Sequence, residues 1–451
     1  MQNKTVRIIG AGLAGCEAAW QAARLGASVI LYEMKPKKLT PAHHTEGFAE
    51  LVCSNSLRSN QLNNAVGLLK AELSKLGSLI MEAAYATEVP AGGALAVNRE
   101  DFSNYITQKI KNHPNITVVC DEVTEIFQDG VTVVATGPLT SEPLAEKIAE
   151  ITGGGELHFF DAAAPIIDFS TVNLEKAFFA SRYGKGSPED YLNCPMTREE
   201  YDAFYNALVS AEEAPLKAFD KESQENLTVF EGCMPVEVMA KRGYDTLRFG
   251  PMKPVGLPLP ETNEEAFAVV QLRRENKEGT MYNIVGFQTH LTFSEQKRVF
   301  RMIPGLENAE FFRYGVMHRN TYLNSPGFLT PTYATKANPS LFFAGQMTGV
   351  EGYVESASSG FVAGINAARL ALGEEDILFP PTTEIGALAN YVAVGGVCSD
   401  FQPMNANFGI IAPLDKKVKG GKKLRNEAYS VRSLEILDKD FGFLTKNENT
   451  Y

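Results

Sequence analysis

The chain has 451 residues, of which 44% are hydrophobic and 21% are charged, and its formal net charge is −12. That length exceeds what one hydrophobic core accommodates and predicts two domains, or one domain with a large insertion. No stretch reaches the roughly 18 uncharged apolar residues of a membrane span, so we expect no membrane association. The acidic balance excludes a general attraction to nucleic acid, and a phosphate-bearing partner must therefore meet a local basic patch.

The cysteines indicate a reducing compartment. The six are scattered, with no two within four residues of each other, at Cys16, Cys53, Cys120, Cys194, Cys233 and Cys398. This spacing excludes CxxC-type zinc sites and redox pairs that are local in sequence. The N-terminus leads directly into TVRIIGAGLAG without a signal-peptide pattern. We therefore expect a cytoplasmic protein without a bound metal.

The first segment, TVRIIGAGLAGCEAAWQAARLGASVILYE, predicts a dinucleotide-binding strand, turn and helix. An apolar run over residues 5–9 precedes a G-x-G-x-x-G turn, and an alanine-rich helix over 14–25 leads to a second strand ending at Glu33. Glycines allow a tight turn, and the helix N-terminus offers amides to a pyrophosphate. Glu33 is spaced to accept hydrogen bonds from ribose hydroxyls. The predicted turn contacts are Gly10, Ala11, Gly12, Leu13, Ala14 and Gly15.

Next along the chain, Cys53 lies in ELVCSNSLRS, among small polar residues instead of in an apolar run. This neighbourhood favours a functional thiol over an inert buried one. The preceding pair His43 and His44 is a minor candidate for orienting a base or a cofactor, since such a pair in a polar loop is more often solvated. Residues 98–111 then predict an amphipathic helix, and NITVVC predicts a strand.

The second segment of interest, DGVTVVATGP, is a strand that runs into Thr136 and Gly137. A chain can turn there close beside a cofactor. From about residue 150 to 325 the character changes to an acidic helical stretch and several strand-like runs. The predicted organisation is therefore a first domain segment over 1–150, an inserted substrate- or RNA-binding α+β domain over 151–325, and a second segment of the first domain over 326–451.

Within the insertion, Cys233 follows Gly232 and precedes Met-Pro, which predicts a turn. The basic residues that follow, up to Lys253, could activate a thiol and receive phosphates. Near the chain end, DKKVKGGKKLR brings six basic residues over 416–425. Such a run is usually a solvated loop, but on an acidic protein it is also a candidate RNA contact.

The third segment, SLFFAGQMTGVEGYVESASSGFVAGINAARLAL, predicts a strand, a glycine loop and a small-residue helix beginning near Ser356. Its predicted cofactor contacts are Gly345, Gln346, Gly349 and Gly352. A strand, glycine loop and helix returning so late in the chain is similar to flavoproteins related to glutathione reductase. That similarity implies an α/β fold with a Rossmann-like FAD-binding domain of the glutathione-reductase type. No second G-x-G-x-x-G is present, so a dedicated NAD(P)H domain is not expected.

Five stretches together resemble one family far more specifically than the glycine fingerprint does. That family is the folate- and FAD-dependent tRNA (uracil-5-)-methyltransferases, the TrmFO group of small GidA-like flavoproteins. The stretches are IIGAGLAGCEAAWQAARLGASVILYEMKP, HHTEGFAELVCSNSLRS, FEGCMPVE, GQMTGVEGYVESASSG and ANFGIIAPL. The resemblance covers essentially the full length, and no motif residue departs from it.

The resemblance implies a reaction in which methylenetetrahydrofolate supplies carbon, reduced FAD supplies electrons, and a uridine in the T-loop of tRNA becomes 5-methyluridine. NAD(P)H is implied as the reductant that recharges the flavin. Cys233 matches the nucleophile motif of the family, and Cys53 matches its second catalytic thiol. The oligomeric state is not implied.

Alternative functions remain open at this stage. The same chemistry could act on ribosomal RNA, or the chain could modify a wobble uridine as the larger GidA or MnmG proteins do. A flavin-dependent NADH or thiol oxidase that binds no RNA is less favoured, because the chain lacks a local cysteine pair. A non-enzymatic RNA-binding flavoprotein is a further alternative.

Overall fold

The computed structural model describes residues 4–40, 42–153, 156–162, 164–214, 234–315, 317–395 and 401–444. Two of the six cysteines, Cys233 and Cys398, lie outside the described residues. The α-helices, numbered in chain order, are α1 Leu13–Arg24, α2 Ala65–Lys75, α3 Leu79–Ala86, α4 Arg99–Lys111, α5 Glu142–Thr152, α6 Arg198–Val209, α7 Val236–Lys241, α8 Thr246–Phe249, α9 Phe293–Phe300, α10 Tyr353–Leu372, α11 Glu384–Val394 and α12 Gly421–Phe441.

The β-strands form two larger sheets and two smaller ones. Numbered in chain order, they are β1 Thr5–Ile9, β2 Ser28–Glu33, β3 Ser56–Ser59, β4 Glu88–Val89, β5 Ala94–Val97, β6 Ile116–Cys120, β7 Val131–Val134, β8 Glu156–Ala162, β9 Ile166–Asp168, β10 Phe178–Phe179, β11 Tyr191–Met196, β12 Ala268–Arg274, β13 Met281–Ile284, β14 Phe311–Arg313, β15 Met317–Leu323 and β16 Leu341–Phe343.

A five-stranded parallel sheet of order β16-β7-β1-β2-β6 forms the centre of the first core. Its strands are short runs rich in valine, isoleucine and leucine, as expected for strands buried between helices. Strand β16 lies about 200 residues after β7 in the chain yet pairs with it in parallel, with Phe342 opposite Val133. Two distant parts of the chain therefore share one sheet, and the predicted α/β class with a Rossmann-like arrangement is confirmed.

Helices α1 and α10 cross with their backbones in contact. A Cβ built on Gly360 would lie 2.1 Å from the carbonyl oxygen of Ala14, and one on Gly364 would lie 2.5 Å from the Cα of Ala18. Only glycine permits so close an approach. The helix begins at Tyr353, not near Ser356, because Gly352 adopts a φ of 123° and turns the chain directly into it. This contact places the third segment beside the first.

The inserted region builds a second core on a six-stranded antiparallel sheet of order β10-β11-β12-β13-β9-β14. Helices α6 and α9 cover it and bury Tyr201, Phe204 and Phe300 against strand residues such as Leu272. A separate ribbon pairs β8 with β15 and joins the two regions. The domain boundaries at 150/151 and 325/326 stay a prediction.

Buried carboxylates hold the chain after α10 in place. Glu72 on α2 accepts hydrogen bonds from the backbone N–H groups of Glu384 and Ile385, each at 2.8 Å, so one helix caps another. Glu384 in turn accepts from Asn407 N–H at 2.9 Å, and Glu355 on α10 accepts from Ala406 N–H at 2.9 Å. The segment around ANFGIIAPL is thereby attached to the start of α10.

We expect Glu384→Gln to stabilise the protein at alkaline pH. Burial raises the pKa of Glu384 well above its ordinary value, and the charge of Glu72 raises it further. A carboxyl with a raised folded-state pKa contributes stability that is lost as the pH rises from about 4.5 through the folded pKa. In the variant, the uncharged side-chain amide of glutamine takes the place of the Glu384 carboxylate, whose Oε2 is buried and has no hydrogen-bond partner among the described residues. Denaturant unfolding at pH 8.5 should show a gain of about 1–2 kcal/mol that shrinks towards pH 5.

The matched control is Glu375→Gln, at an exposed position after α10. It should leave the free energy of unfolding unchanged at both pH values. If the Glu384→Gln protein is less stable than the wild type at pH 8.5, the ionised carboxylate of Glu384 stabilises the folded protein, and the prediction is wrong.

Candidate functional site

A cleft of about 660 Å³ opens at the carboxyl ends of β1, β2, β6 and β7. Ligands bind at this edge of open parallel sheets, because helix N-termini and strand-end loops meet there. The cleft is lined by the turn after β1 (9–12), the loop after β2 (32–35), residues 121–123 and residues 135–136. Five of the predicted cofactor contacts line it: Gly10, Ala11, Gly12, Glu33 and Thr136.

Glu33 ends β2 and points back to the glycine turn. Its Oε2 accepts a hydrogen bond from Ala11 N–H at 2.8 Å, and its Oε1 accepts from Lys35 N–H at 3.0 Å. Each carboxylate oxygen keeps a lone pair for a further donor. Gly12, the N-cap of α1, faces open space, since a Cβ built there meets nothing within 4 Å. The amide end of α1 is therefore accessible to an anion.

The second and third segments both meet the first segment at this turn. A Cβ on Gly10 would lie 2.7 Å from the carbonyl oxygen of Ala135, so the strand end before Thr136 closes over the turn. A Cβ on Gly345 would lie 3.2 Å from the Cβ of Ala14, in the first turn of α1. Position 15 requires glycine for packing within the turn, because a Cβ there would lie 1.8 Å from the carbonyl oxygen of Gly10.

The remaining predicted contacts belong to the loops around these points. Leu13 is the first residue of α1, and Gly137 begins a 3-10 turn after β7 with a φ of 70°. The amide Nε2 of Gln346 donates to Glu351 at 2.7 Å. Gly349 is held by packing, since a Cβ there would lie 2.4 Å from the Phe401 ring. Gly352 is the N-cap of α10, as described above.

Cys53 lies beside Tyr353, the first residue of α10 in the third segment. Its Sγ is 3.0 Å from the Tyr353 hydroxyl, which also accepts hydrogen bonds from the N–H groups of Cys53 and Ser54 at 2.9 and 3.2 Å. Burial raises the pKa of Tyr353 well above its ordinary value, so the phenol keeps its proton. The thiol is half-buried and forms no disulfide among the described cysteines.

Three arginines hold the loop of residues 51–55, which we call the Cys53 loop. Arg99, the first residue of α4, donates to the carbonyl oxygens of Leu51 and Cys53. Arg313 on β14 donates to Val52 O at 2.8 Å. Arg273 on β12 donates to the side chains of Ser54 and Asn55, each at 3.0 Å through Nη2.

These supporting residues were missed from the sequence. Tyr353 stands in the third segment, but nothing local distinguishes it from a packing residue. Arg273 carries a weak signal, because a charged residue at an inward position of the apolar strand AVVQLRR is unusual. Arg99 and Arg313 carry none, since their partners lie tens to hundreds of residues away.

The other predicted groups fall in different places. His43 lines the cleft, with its Nδ1 2.5 Å from the Thr40 hydroxyl, and burial followed by the charge of Lys35 lowers its pKa. The basic residues at 416–425 are exposed. Arg248, by contrast, is paired with Asp245 at 2.6 Å. Across the described parts of the chain, no helix has the length and apolarity to cross a membrane, and no cluster of three potential metal ligands occurs.

Comparison with known proteins gives consistent matches over the chain. The family described as "Glucose inhibited division protein A", or GidA, matches residues 5–375. The chain is 61% identical over 432 residues to the methylenetetrahydrofolate--tRNA-(uracil-5-)-methyltransferase TrmFO of Acetivibrio thermocellus, covering 96% of this chain and 97% of the relative. It is 59% identical over 437 residues to the protein of the same name from Bacillus subtilis, covering 97% and 98%.

Among solved structures, the form II crystal of Aquifex aeolicus GidA is similar at a TM-score of 0.69. That likeness covers 98% of this chain and 75% of the GidA chain, at 19% identity. At this identity the similarity shows the fold alone.

Proposed function

The chain belongs to the GidA family, and from this premise we propose that it methylates C5 of the T-loop uridine of tRNA. The proposed carbon donor is methylenetetrahydrofolate, the reductant is reduced FAD, and NAD(P)H recharges the flavin. The observation that carries the proposal is the half-buried Cys53 thiol, whose Sγ lies 3.0 Å from the hydroxyl of Tyr353, the first residue of α10 in the third glycine segment. Relatives about 60% identical over nearly the full length bear the name of this activity.

The residues at the cleft suit FAD. We assign Glu33 to the ribose hydroxyls and the N-terminus of α1 at Gly12 to the pyrophosphate, because the position of a Gly12 Cβ is open, whereas the Ala11 N–H already donates to Glu33. Thr136, Gly137 and Gly345 would line the flavin half. When bound, FAD supplies the hydride chemistry that reduces a methylene to a methyl group.

Two thiols supply the covalent and proton-transfer steps. Uracil C5 becomes nucleophilic when a thiolate adds at C6, which turns the ring into an enolate. We assign this addition to Cys233, on its match to the family motif. After C5 has formed its bond to carbon, a base removes the C5 proton and the C6–S bond breaks, which restores the aromatic uracil. Cys53 is our candidate for that base or for a proton donor beside the flavin.

The target uridine must leave its stack to reach these groups, at a cost of a few kcal/mol that RNA contacts offset. We propose the exposed basic stretch 416–425 as one such contact, because phosphate affinity on an acidic protein requires a local positive patch. The expected place of action is the cytoplasm, where such a tRNA substrate is present.

The test is incorporation of label from methylenetetrahydrofolate into unmodified tRNA with NAD(P)H present, followed by nucleoside analysis. Labelled 5-methyluridine in the T-loop supports donor, product and RNA together. If label appears only in ribosomal RNA, the substrate is ribosomal RNA and not tRNA. Rapid NADH oxidation without RNA or folate, and no labelled RNA, would replace the proposal with an oxidase.

We expect Glu33→Gln to weaken FAD binding by roughly 10- to 100-fold, the value of one to two hydrogen bonds to a charged group. Both carboxylate oxygens already accept backbone N–H groups, so an amide NH₂ would face one of those donors. Titration of the apoprotein with FAD measures the affinity. Glu278→Gln, at an exposed position in the inserted region, is the matched control. Equal affinities would remove Glu33 from the FAD site.

A further inference from the structure

The Cys53 loop receives hydrogen bonds from two regions of the protein. Arg99 belongs to the same region as the parallel sheet, whereas Arg273 and Arg313 come from the antiparallel sheet of the inserted region. Asn55, which is fully buried, completes the connection by donating to Val97 O at 3.1 Å and to Arg274 O at 3.0 Å. The position of the loop therefore depends on the inserted sheet.

The three guanidinium charges around this loop are only partly balanced by carboxylates. Arg99 pairs with Glu275 at 2.7 Å, and Glu275 is 3% exposed. Arg273 is 6% exposed, and within the described ranges neither it nor Arg313 has a carboxylate partner. The Nε of Arg313 is buried without a hydrogen-bond partner among the described residues. Burying unpaired cations is costly unless an anion lies nearby.

The ionisable groups facing the loop come from several elements. Glu50, just before the loop, already accepts hydrogen bonds from the backbone N–H groups of His44 and Thr45. Burial and the charge of Arg99 lower the pKa of Arg313. Three acidic groups raise this pKa when they are ionised: Tyr353, Glu50 and Cys53. Glu50 supplies one negative charge near Arg313, and Tyr353 keeps its proton, so the sulfur of Cys53 is the position for a further negative charge at the tip of the loop.

The hydrogen bonds at Tyr353 favour the same charge state. Its hydroxyl oxygen accepts two backbone N–H groups, which use both of its lone pairs. The hydroxyl proton is then available to the Cys53 sulfur 3.0 Å away, and a sulfur that accepts a hydrogen bond is best served by the thiolate.

We propose that Arg273 and Arg313 are positioning residues through which the inserted domain orients the Cys53 loop and holds Cys53 as a thiolate. The inference rests on the proposed function only in giving that thiolate a task. Its two components are separable: the hydrogen bonds to Val52, Ser54 and Asn55 set the geometry, and the guanidinium charges stabilise the anion.

The test is the pH dependence of Cys53 alkylation by iodoacetamide in the purified full-length, flavin-loaded protein. Modification is quantified peptide by peptide with mass spectrometry between pH 5 and 9. Cys120, which is exposed at the end of β6, serves as the reference thiol in every sample. We expect the Cys53 midpoint to lie below the Cys120 midpoint in the wild type. A Cys53 midpoint at or above that of Cys120 would overturn the proposal without any variant.

Among variants, Arg313→Gln keeps a donor but removes the charge, and Arg313→Lys keeps the charge. We expect Arg313→Gln to raise the Cys53 midpoint by about one pH unit, which slows alkylation about tenfold below it, while Arg313→Lys stays near the wild type. An unshifted midpoint in Arg313→Gln, or equal shifts in both variants, would overturn the proposal. Arg273→Gln and Arg273→Lys repeat the comparison if Arg313→Gln does not accumulate as folded protein.

Arg301→Gln is the matched control, because Arg301 pairs with Glu310 on the inserted region and makes no contact with the Cys53 loop. It should leave both midpoints unchanged. The alkylation profile does not depend on RNA methylation. If the protein makes no 5-methyluridine but shows these shifts, the proposed function is rejected and the positioning role is kept. If the protein makes 5-methyluridine but shows no shifts, the positioning role is rejected and the proposed function is kept.

Discussion

Cys53→Ser is expected to reduce 5-methyluridine formation by roughly 10²- to 10⁴-fold, the range supplied by a positioned acid or base. The hydroxyl can replace the thiol beside Tyr353, so the loop and the flavin should be retained, but serine is far too weak an acid to exchange protons near neutral pH. Turnover with labelled methylenetetrahydrofolate and tRNA measures the loss, and the flavin absorbance reports binding.

Two variants make this prediction specific. Cys120→Ser changes an exposed cysteine at the end of β6 and should keep full activity. Cys233→Ser should also abolish turnover, but it alone should abolish the covalent adduct with 5-fluorouracil-containing RNA. Full activity of Cys53→Ser would make Cys53 a structural residue, and an adduct that survives in Cys233→Ser would move the nucleophile elsewhere.

Gly360→Ala is expected to destabilise the protein by about 2–4 kcal/mol, a large effect for one methyl group. The added Cβ would lie 2.1 Å from Ala14 O, so α10 must move away from α1. Because Ala14 is in the first turn of α1 and also contacts Gly345, this displacement should release bound flavin at lower denaturant concentration. Denaturant unfolding followed by flavin fluorescence measures both effects.

The matched control is Gly442→Ala, at the end of α12. Gly442 has an ordinary φ of −58°, and an added Cβ meets nothing within 4 Å. Its free energy of unfolding should change by no more than about 0.5 kcal/mol. Equal stabilities of the two variants would show that α1 and α10 do not need their glycine contact.

Much of the first domain follows from the sequence because its signals are local. An apolar strand, a glycine turn and a small-residue helix occupy consecutive residues, and the structure has β1 Thr5–Ile9 and α1 Leu13–Arg24 where they were expected. The helix expected over 98–111 forms as Arg99–Lys111, with the Asn98 side chain accepting hydrogen bonds from the N–H groups of Glu100 and Asp101. Capping and periodicity depend only on near neighbours.

The sequence by itself determined the strand, glycine turn and helix of the first domain and singled out the candidate thiols, since these depend on residue type and short-range spacing. Only the tertiary structure decided what surrounds Cys53. Tyr353, Arg273 and Arg313 lie between about 220 and 300 residues further along the chain, and their hydrogen bonds to the Cys53 loop arise from strand pairing and helix crossing. Partners so distant leave no periodic pattern, because they are selected by contact in space and not by position in an element.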